Sequence, residues 1–289
     1  MTGTLVGVLG DTHGNTAAIR FMLWSMHKLG IQKVIHVGDF GIYTDNGGMK
    51  FASKANQYAQ EFGITLIVVP GNHENWRVIN EMVGDDRENL AAYRSNIFIA
   101  PRGYRWDWNG MSFLALGGAP SVDRTIRISW ELSRKPGNVN KYWYGEEQIT
   151  QEDVDYTVAG GYADVMIGHD APHGIQGIER VIRGNPHGFK QVDLLYAEEG
   201  RLLMTEAFRG VAPEFFFHGH YHTPVNENIR RPGGEDGEIT HVIGLDCEFN
   251  NYSMATIDTE TRTATNIDHK KLLAEFRDEL NGQPWPTRN

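Results

Sequence analysis

The sequence predicts an α/β protein whose sheet begins parallel and then turns antiparallel. Over the first hundred residues, short β-branched runs alternate with helical periodicity, the pattern of parallel βαβ units. An Asn109-Gly110 pair then links "YRWDW" to "MSFLALGG" as a hairpin turn. The later runs "HVIGLDCEF" and "YSMATIDTET" read as further antiparallel strands.

"TLVGVLGD" is the first strand, and "NTAAIRFMLWSMHKLG" the first helix, with Asn15 as N-cap and Gly30 as its stop. Ile19, Met22, Met26 and Leu29 recur at helical spacing and are expected in the core. "KVIHVGD" is the second strand, residues 49–62 the second helix, "ITLIVVPGN" the third strand, "NWRVINEMV" a short helix and "NIFIAP" another strand. Residues 120–148 carry the breakers Pro120, Pro136 and Gly137 and little periodicity, so they read as a long excursion placed to act as a lid. "GEEQITQEDVDYTVAGG" returns to helix, "ADVMIGHD" to strand, "QVDLLYAEEGRLLMTEAFR" to helix and "PEFFFHGHYH" to strand, with a final helix around "KKLLAEFRDEL". No repeat or linker interrupts the chain, which is expected to form one domain over 1–289.

A 40% hydrophobic, 22% charged composition is that of a folded globular protein. The net charge of −10 argues against broad binding to nucleic acid or anionic membranes, which are held by accumulated Lys and Arg. Cys247 is the only cysteine, so no intramolecular disulfide forms; no apolar run reaches the ~20 residues of a membrane helix. With no signal-peptide pattern at the N-terminus, cytoplasmic residence is expected.

Chemistry-bearing residues gather where strands end: "GDTHG" at 10–14, "GDFG" at 38–41, "GNHE" at 71–74, "GHD" at 168–170 and "GHYH" at 219–222. The carboxyl ends of parallel strands form a common crevice, so segments more than two hundred positions apart can converge there. Mixed carboxylate, amide and imidazole donors suit Mn, Fe, Co or Zn better than calcium or copper(I). The alternation of His218, His220 and His222 is also compatible with one three-histidine zinc site, but the set as a whole is large enough for two ions.

In these five segments, taken in order, the sequence resembles the calcineurin-like metallophosphoesterases, with their GDxHG, GDxx, GNH[DE], GH and GHxH signature, across residues 5–225. The resemblance implies a four-layer α/β/β/α sandwich with two mixed β-sheets and a dinuclear metal centre at the strand ends. It implies that Asp11, His13 and His222 bind one ion, that Asp39 bridges, and that Asn72, His169 and His220 complete the second site. His73 matches the family histidine beside the scissile phosphate, so His73, Asp39 and Asn72 are the expected catalytic set; His218 is left out. The implied activity is metal-dependent hydrolysis of a phosphomonoester or phosphodiester, small or nucleotide-like, by a metal-bridging hydroxide. Two divalent ions are implied, Mn first, with Fe, Zn, Co or Ni as alternatives. The competing reading is a catalytically silent metal-binding scaffold for protein interactions; the intact His73 beside every ligand argues against it.

One departure bears on substrate and mechanism. Protein Ser/Thr phosphatases of this superfamily read GDxVDRG in the second motif, whereas Ile42 stands here in place of the Asp that orients the catalytic histidine. Asp45, Asp170 or backbone is expected to take over that task, and a protein phosphatase is disfavoured. Between Val122 and Lys141, five basic residues (Arg124, Arg127, Arg134, Lys135, Lys141) face two acidic ones, Asp123 and Glu131. Arg124 and Arg127 are expected to grip phosphate, and Trp130, Tyr142, Trp143 and Tyr144 to stack on a base or aromatic leaving group. Such a loop slightly favours diesters. Arg180, Arg183 and Lys190 would form an opposite wall, and Asp246 is either an outer-shell partner or a turn residue. The expected partner is thus a phosphate-ester substrate, a nucleotide or nucleic-acid end among the choices, with no membrane or protein partner implied.

Overall fold

A computed structural model describes residues 4–133 and 141–280, in two mixed sheets packed face to face with helices outside both. Arg134, Lys135, Pro136 and Gly137, invoked above, lie outside the described residues.

The first sheet contains β1 (Leu5–Leu9), β2 (Lys33–His36), β3 (Thr65–Val68), β4 (Ala91–Ala92), β5 (Ile97–Ile99), β12 (Met254–Asp258) and β13 (Thr263–Asn266), in the order β13-β12-β1-β2-β3-β5-β4. Its centre, β1-β2-β3-β5, is parallel; β12 joins β1 antiparallel. The second sheet contains β6 (Arg105–Trp108), β7 (Met111–Leu116), β8 (Val165–Gly168), β9 (Phe215–His218), β10 (Val225–Arg230) and β11 (Ile239–Gly244), in the order β10-β11-β9-β8-β7-β6. The hairpin at Asn109 (φ 52°) and Gly110 (φ 82°) therefore opens a second sheet. "HVIGLDCEF" is antiparallel to β10 but parallel to β9, a correction to the wholly antiparallel expectation.

Helix α1 (Thr16–Lys28) starts where the Asn15 side chain accepts from the backbone N–H groups of Ala17 and Ala18. It buries Ile19, Met22 and Met26, but Leu29 caps its end and is 40% exposed, outside the core assigned to it. Helix α2 (Asn46–Glu61) begins earlier than periodicity indicates, because Asp45 caps it and the Gly47-Gly48 pair forms its first turn. α3 (Trp76–Val83), capped by Asn75, and α8 (Lys270–Glu279) complete the outer layer on the first sheet. The excursion is partly helical: α4 (Arg124–Ser133) lacks a core stripe, and its one buried residue is Arg127. α5 (Gln151–Ala159), α6 (Gln176–Gly184) and α7 (Gln191–Val211) cover the second sheet; α6 is an addition to the elements expected from the sequence.

Strand period places the cores. Phe113 and Ala115 of β7 point between the sheets, together with Val6, Val8, Ile35 and Ile67, while Leu114 and Leu116 face α5–α7. In "FFFH", Phe215 and Phe217 enter the inter-sheet layer and Phe216 packs on Phe208 of α7. The carboxyl ends of β1, β2 and β3 in one sheet, and of β8 and β9 in the other, consequently meet along one edge.

Candidate metal centre

Two groups of donor atoms converge at that edge. In the first, Asp11, His13, Asp39 and His222 bring one ligand atom each to within 4.8 Å of one another. His13 Nε2 stands 3.4 Å from Asp39 Oδ2, and His222 Nε2 3.2 Å from Asp11 Oδ2. In the second, Asn72 Oδ1 lies 3.0 Å from His169 Nε2 and 2.9 Å from His220 Nδ1, with His169 Nε2 3.4 Å from Asp39 Oδ1. Asp39 turns one oxygen to each group.

The backbone is bent to make this convergence. His13, Asp39, His220 and His222 have φ of 47°, 53°, 68° and 47°, a left-handed conformation that non-glycine residues adopt at a cost of roughly 1–3 kcal/mol each. Two motif glycines serve close approach: a Cβ on Gly38 would stand 2.2 Å from His169 Nδ1, and one on Gly71 2.3 Å from Asp39 Oδ1. Glu74, fully buried, accepts from the backbone N–H groups of Asp39, Gly41 and Gly71 and so ties the second motif to the third. Burial and the nearby Asp39 charge push the Glu74 carboxyl up to about 7.

Outer partners fix the donors. His169 Nδ1 donates to Val37 O at 2.8 Å, which turns Nε2 toward Asn72 and Asp39. The Asn72 amide donates through Nδ2 to Ser121 Oγ, which donates to the buried Glu147, so Oδ1 is the atom turned inward. His13 Nδ1 lies 3.0 Å from Glu248 Oε2, a carboxylate–histidine pair that aims Nε2 at Asp39. Ser121, Glu147 and Glu248 escaped the sequence reading, as did the tethering role of Glu74; only "GNHE", which places Glu74 beside His73, carried a local signal.

The donor set fits divalent ions. Asp11 Oδ1 is buried without a hydrogen-bond partner, an acceptor that a cation would satisfy. Burial opposes charge on Asp39, yet His169, His73 and His13 hold its carboxyl well below the ordinary range; Asp11 is also lowered against burial, by the His222 contact and His169. Against burial, Asp39 and Glu248 raise the His13 imidazole to about 11, and Asp39 raises His169 to about 9. Two buried carboxylates drawing protons onto histidines mark a place that needs positive charge. His218, by contrast, is fully buried on β9, its Nδ1 on Gly219 O, and takes no part in either group.

His73 stands at the rim, its ring 5.1 Å from that of His13. Neither Asp45, which caps α2, nor Asp170, which accepts from Tyr221 OH at 2.6 Å, orients it. Arg127 does: its Nη2 donates to His73 Nε2 at 2.5 Å, while Asp123 holds Nε at 2.8 Å and Asn72 O accepts from Nη1 at 3.4 Å. Burial lowers the His73 imidazole to about 4, with Asp39 opposing and Arg127 adding to the shift.

The residues expected to hold substrate divide. Arg127 lines a cavity of about 410 Å3 that also reaches Asp39, Asn72, His73, His220 and His222. Arg124 does not line it; its guanidinium lies 4.0 Å from the Tyr196 ring centre and pairs with Asp193. Trp130, Tyr142, Trp143 and Tyr144 are also absent from this wall: Trp130 meets Tyr142 at the surface, Trp143 donates to Glu147, and Tyr144 packs into the first core. Arg180, Arg183 and Lys190 are at least partly open to solvent and do not line the cavity. Asp246 is a turn residue, accepting from Cys247 N and Asn250 Nδ2.

The family model described as calcineurin-like phosphoesterase matches residues 4–224. Among solved structures, the Thermus thermophilus protein TT1561 is similar over 92% of this chain and 99% of its own, at 11% identity and a TM-score of 0.55. A dimetal phosphatase from Danio rerio is similar over 87% of this chain and 91% of its own, at 13% identity and a TM-score of 0.51. At such identities the likeness is one of fold. No curated protein matches the chain at a significant level.

Proposed function

The chain belongs to the calcineurin-like phosphoesterase family, and on that premise we propose that it hydrolyses phosphomonoesters or phosphodiesters of small or nucleotide-like alcohols at the centre just described. The observation that carries this reading is the division of Asp39, whose Oδ2 faces His13 and whose Oδ1 faces His169. Asp11, His13, His222 and Asp39 would hold one divalent ion, and Asn72, His169, His220 and Asp39 the other. The mixed nitrogen and oxygen donors favour Mn, with Fe, Zn, Co or Ni as alternatives. Such ions, when bound, acidify water and draw charge from phosphoryl oxygens.

The chain's own groups supply the rest. Arg127, 3% exposed and locked by Asp123, presents a fixed guanidinium to the cavity. Asn72 is held by Ser121, which fixes the direction of its Oδ1. Arg127 puts hydrogen-bond donors where charge develops on the phosphoryl oxygens, and His73, whose Nε2 accepts from Arg127, keeps its Nδ1–H for the leaving oxygen. Within the 120–148 segment, α4 is the part that covers the cluster, since it carries Arg127 against His73.

The test is Mn-dependent turnover of p-nitrophenyl phosphate and bis(p-nitrophenyl) phosphate. Wild type should turn over at least one, and His73→Ala should lose about 10²–10⁴-fold in kcat while retaining its metals. No metal-dependent turnover of either ester, or of a nucleotide panel, would overturn the proposal.

A further inference from the structure

The cavity that reaches His73 and Arg127 has two chemically different walls. One is the polar cluster. The other is mainly apolar: Val181 and Ile182 of α6, Phe189 from the turn that follows, and Leu194 and Ala197 of α7; of the polar residues in that turn, Asn185 bonds the Phe189 backbone through its side chain and His187 stands exposed. All five are only partly buried, so each keeps an open face. Charged groups on this side are engaged elsewhere. Arg201 donates to Ala171 O and Pro172 O and pairs with Glu179, and Glu198 pairs with His173.

Position ties this wall to the reacting end. Asp193, immediately before Leu194, accepts from the Thr125 hydroxyl at 2.7 Å and from its backbone N–H at 3.2 Å. α7 is thereby fastened to α4, the helix that carries Arg127 against His73. A phosphoryl group at the cluster would therefore direct its alcohol along the apolar residues. A sugar or polyol there would set most of its hydroxyls against the five apolar side chains, which offer them no partner.

We propose that Val181, Ile182, Phe189, Leu194 and Ala197 form a subsite for an uncharged apolar alcohol portion, so that esters of aryl-bearing or branched apolar alcohols are the preferred substrates. The proposal rests on the phosphoesterase reading. In the hydrolysis the P–O bond to the alcohol breaks, a new P–O bond forms to the oxygen of water, and the alcohol leaves with a proton; no other reactant is needed. Room is adequate, since about 410 Å3 falls within the range of small-molecule sites.

The experiment compares 2-phenylethyl phosphate with ethyl phosphate on the Mn-loaded full chain, because the two alcohols have similar acidity and differ mainly in apolar bulk. Wild type should favour the phenylethyl ester by about tenfold or more in kcat/KM. Leu194→Asn and Phe189→Ser should remove most of that preference by lowering kcat/KM for the phenylethyl ester, and Phe189→Leu should keep it. Calorimetry with 2-phenylethylphosphonate, which has no ester bond to hydrolyse, should show weaker binding to the two polar variants, whose melting curves report on folding. Equal kcat/KM for the two esters in wild type, or a preference undiminished in both polar variants, overturns the subsite alone. No turnover of either alkyl ester by a chain that hydrolyses bis(p-nitrophenyl) phosphate likewise overturns the subsite alone, whereas no turnover of any monoester, of bis(p-nitrophenyl) phosphate or of the nucleotide panel overturns the phosphoesterase reading with it.

Discussion

Asp39 is where the two donor groups become one centre, and the residues behind the donors set how firmly it is built. Glu248 holds His13, while Glu147 acts through Ser121 on Asn72. Outer partners of this kind are typically worth 10–100-fold in metal affinity. Glu248→Gln should therefore weaken one ion by about tenfold and Ser121→Ala should weaken the other, as read by calorimetric metal titration. Equal affinities in both variants and wild type would show that these contacts do not position ligands. The inner residues were legible because each motif is a contiguous string at a strand end. The outer ones were not: Glu248 is 235 positions from His13 and Glu147 is 26 from Ser121, and a lone glutamate in a loop carries no signal of its partner. The partner of His73 was hidden for a related reason. Ile42 stands where a carboxylate is expected, whereas the contact is a guanidinium 54 positions away.

Elements position these residues through a few cross-connections. Asp164, which precedes β8, accepts from the Ser112 backbone and hydroxyl of β7 and pairs with Arg262 of the β12–β13 turn; Arg262 also pairs with Glu214, next to β9. Burial would raise the Asp164 carboxyl, but Arg262 and Ser112 hold it down at about 2 against an ordinary 3.8. A depressed folded-state pKa stabilises above about pH 4 and loses that contribution as the pH falls toward 2. Discounted for solvent screening, the contribution is about 1 kcal/mol, so Asp164→Asn should flatten the acid limb of a urea-midpoint profile between those limits. In the core, Phe217→Ala should cost about 3–5 kcal/mol in urea unfolding, since the ring fills the layer between the sheets. Strands were readable from period and α1 from its Asn15 cap, whereas the Asp45 and Asn75 caps that start α2 and α3 were not read. α4 was not readable, because its buried position is an arginine serving the site, while Ile126, Trp130 and Leu132 face solvent.

At the scale of the whole molecule, three apolar layers separate four layers of structure, and the two sheets deliver their strand ends to a single edge. That arrangement followed from the family resemblance together with the parallel-then-antiparallel order, which the hairpin at Asn109-Gly110 divides into two sheets. Substrate recognition was less readable. The aromatics of the 120–148 segment looked like a platform for a base, but packing turned Trp143 and Tyr144 inward, and the apolar wall comes from α6 and α7 instead. Among the described residues no helix is long and apolar enough to cross a membrane. The central claim is that Asp39 is shared between two ions, and metal content at saturation, measured by elemental analysis on wild type and Asp39→Ala, tests it most directly. Two ions per chain in wild type, with both sites weakened in the variant, is the expected result; one ion per chain in wild type, or a variant that binds two as tightly, would contradict it.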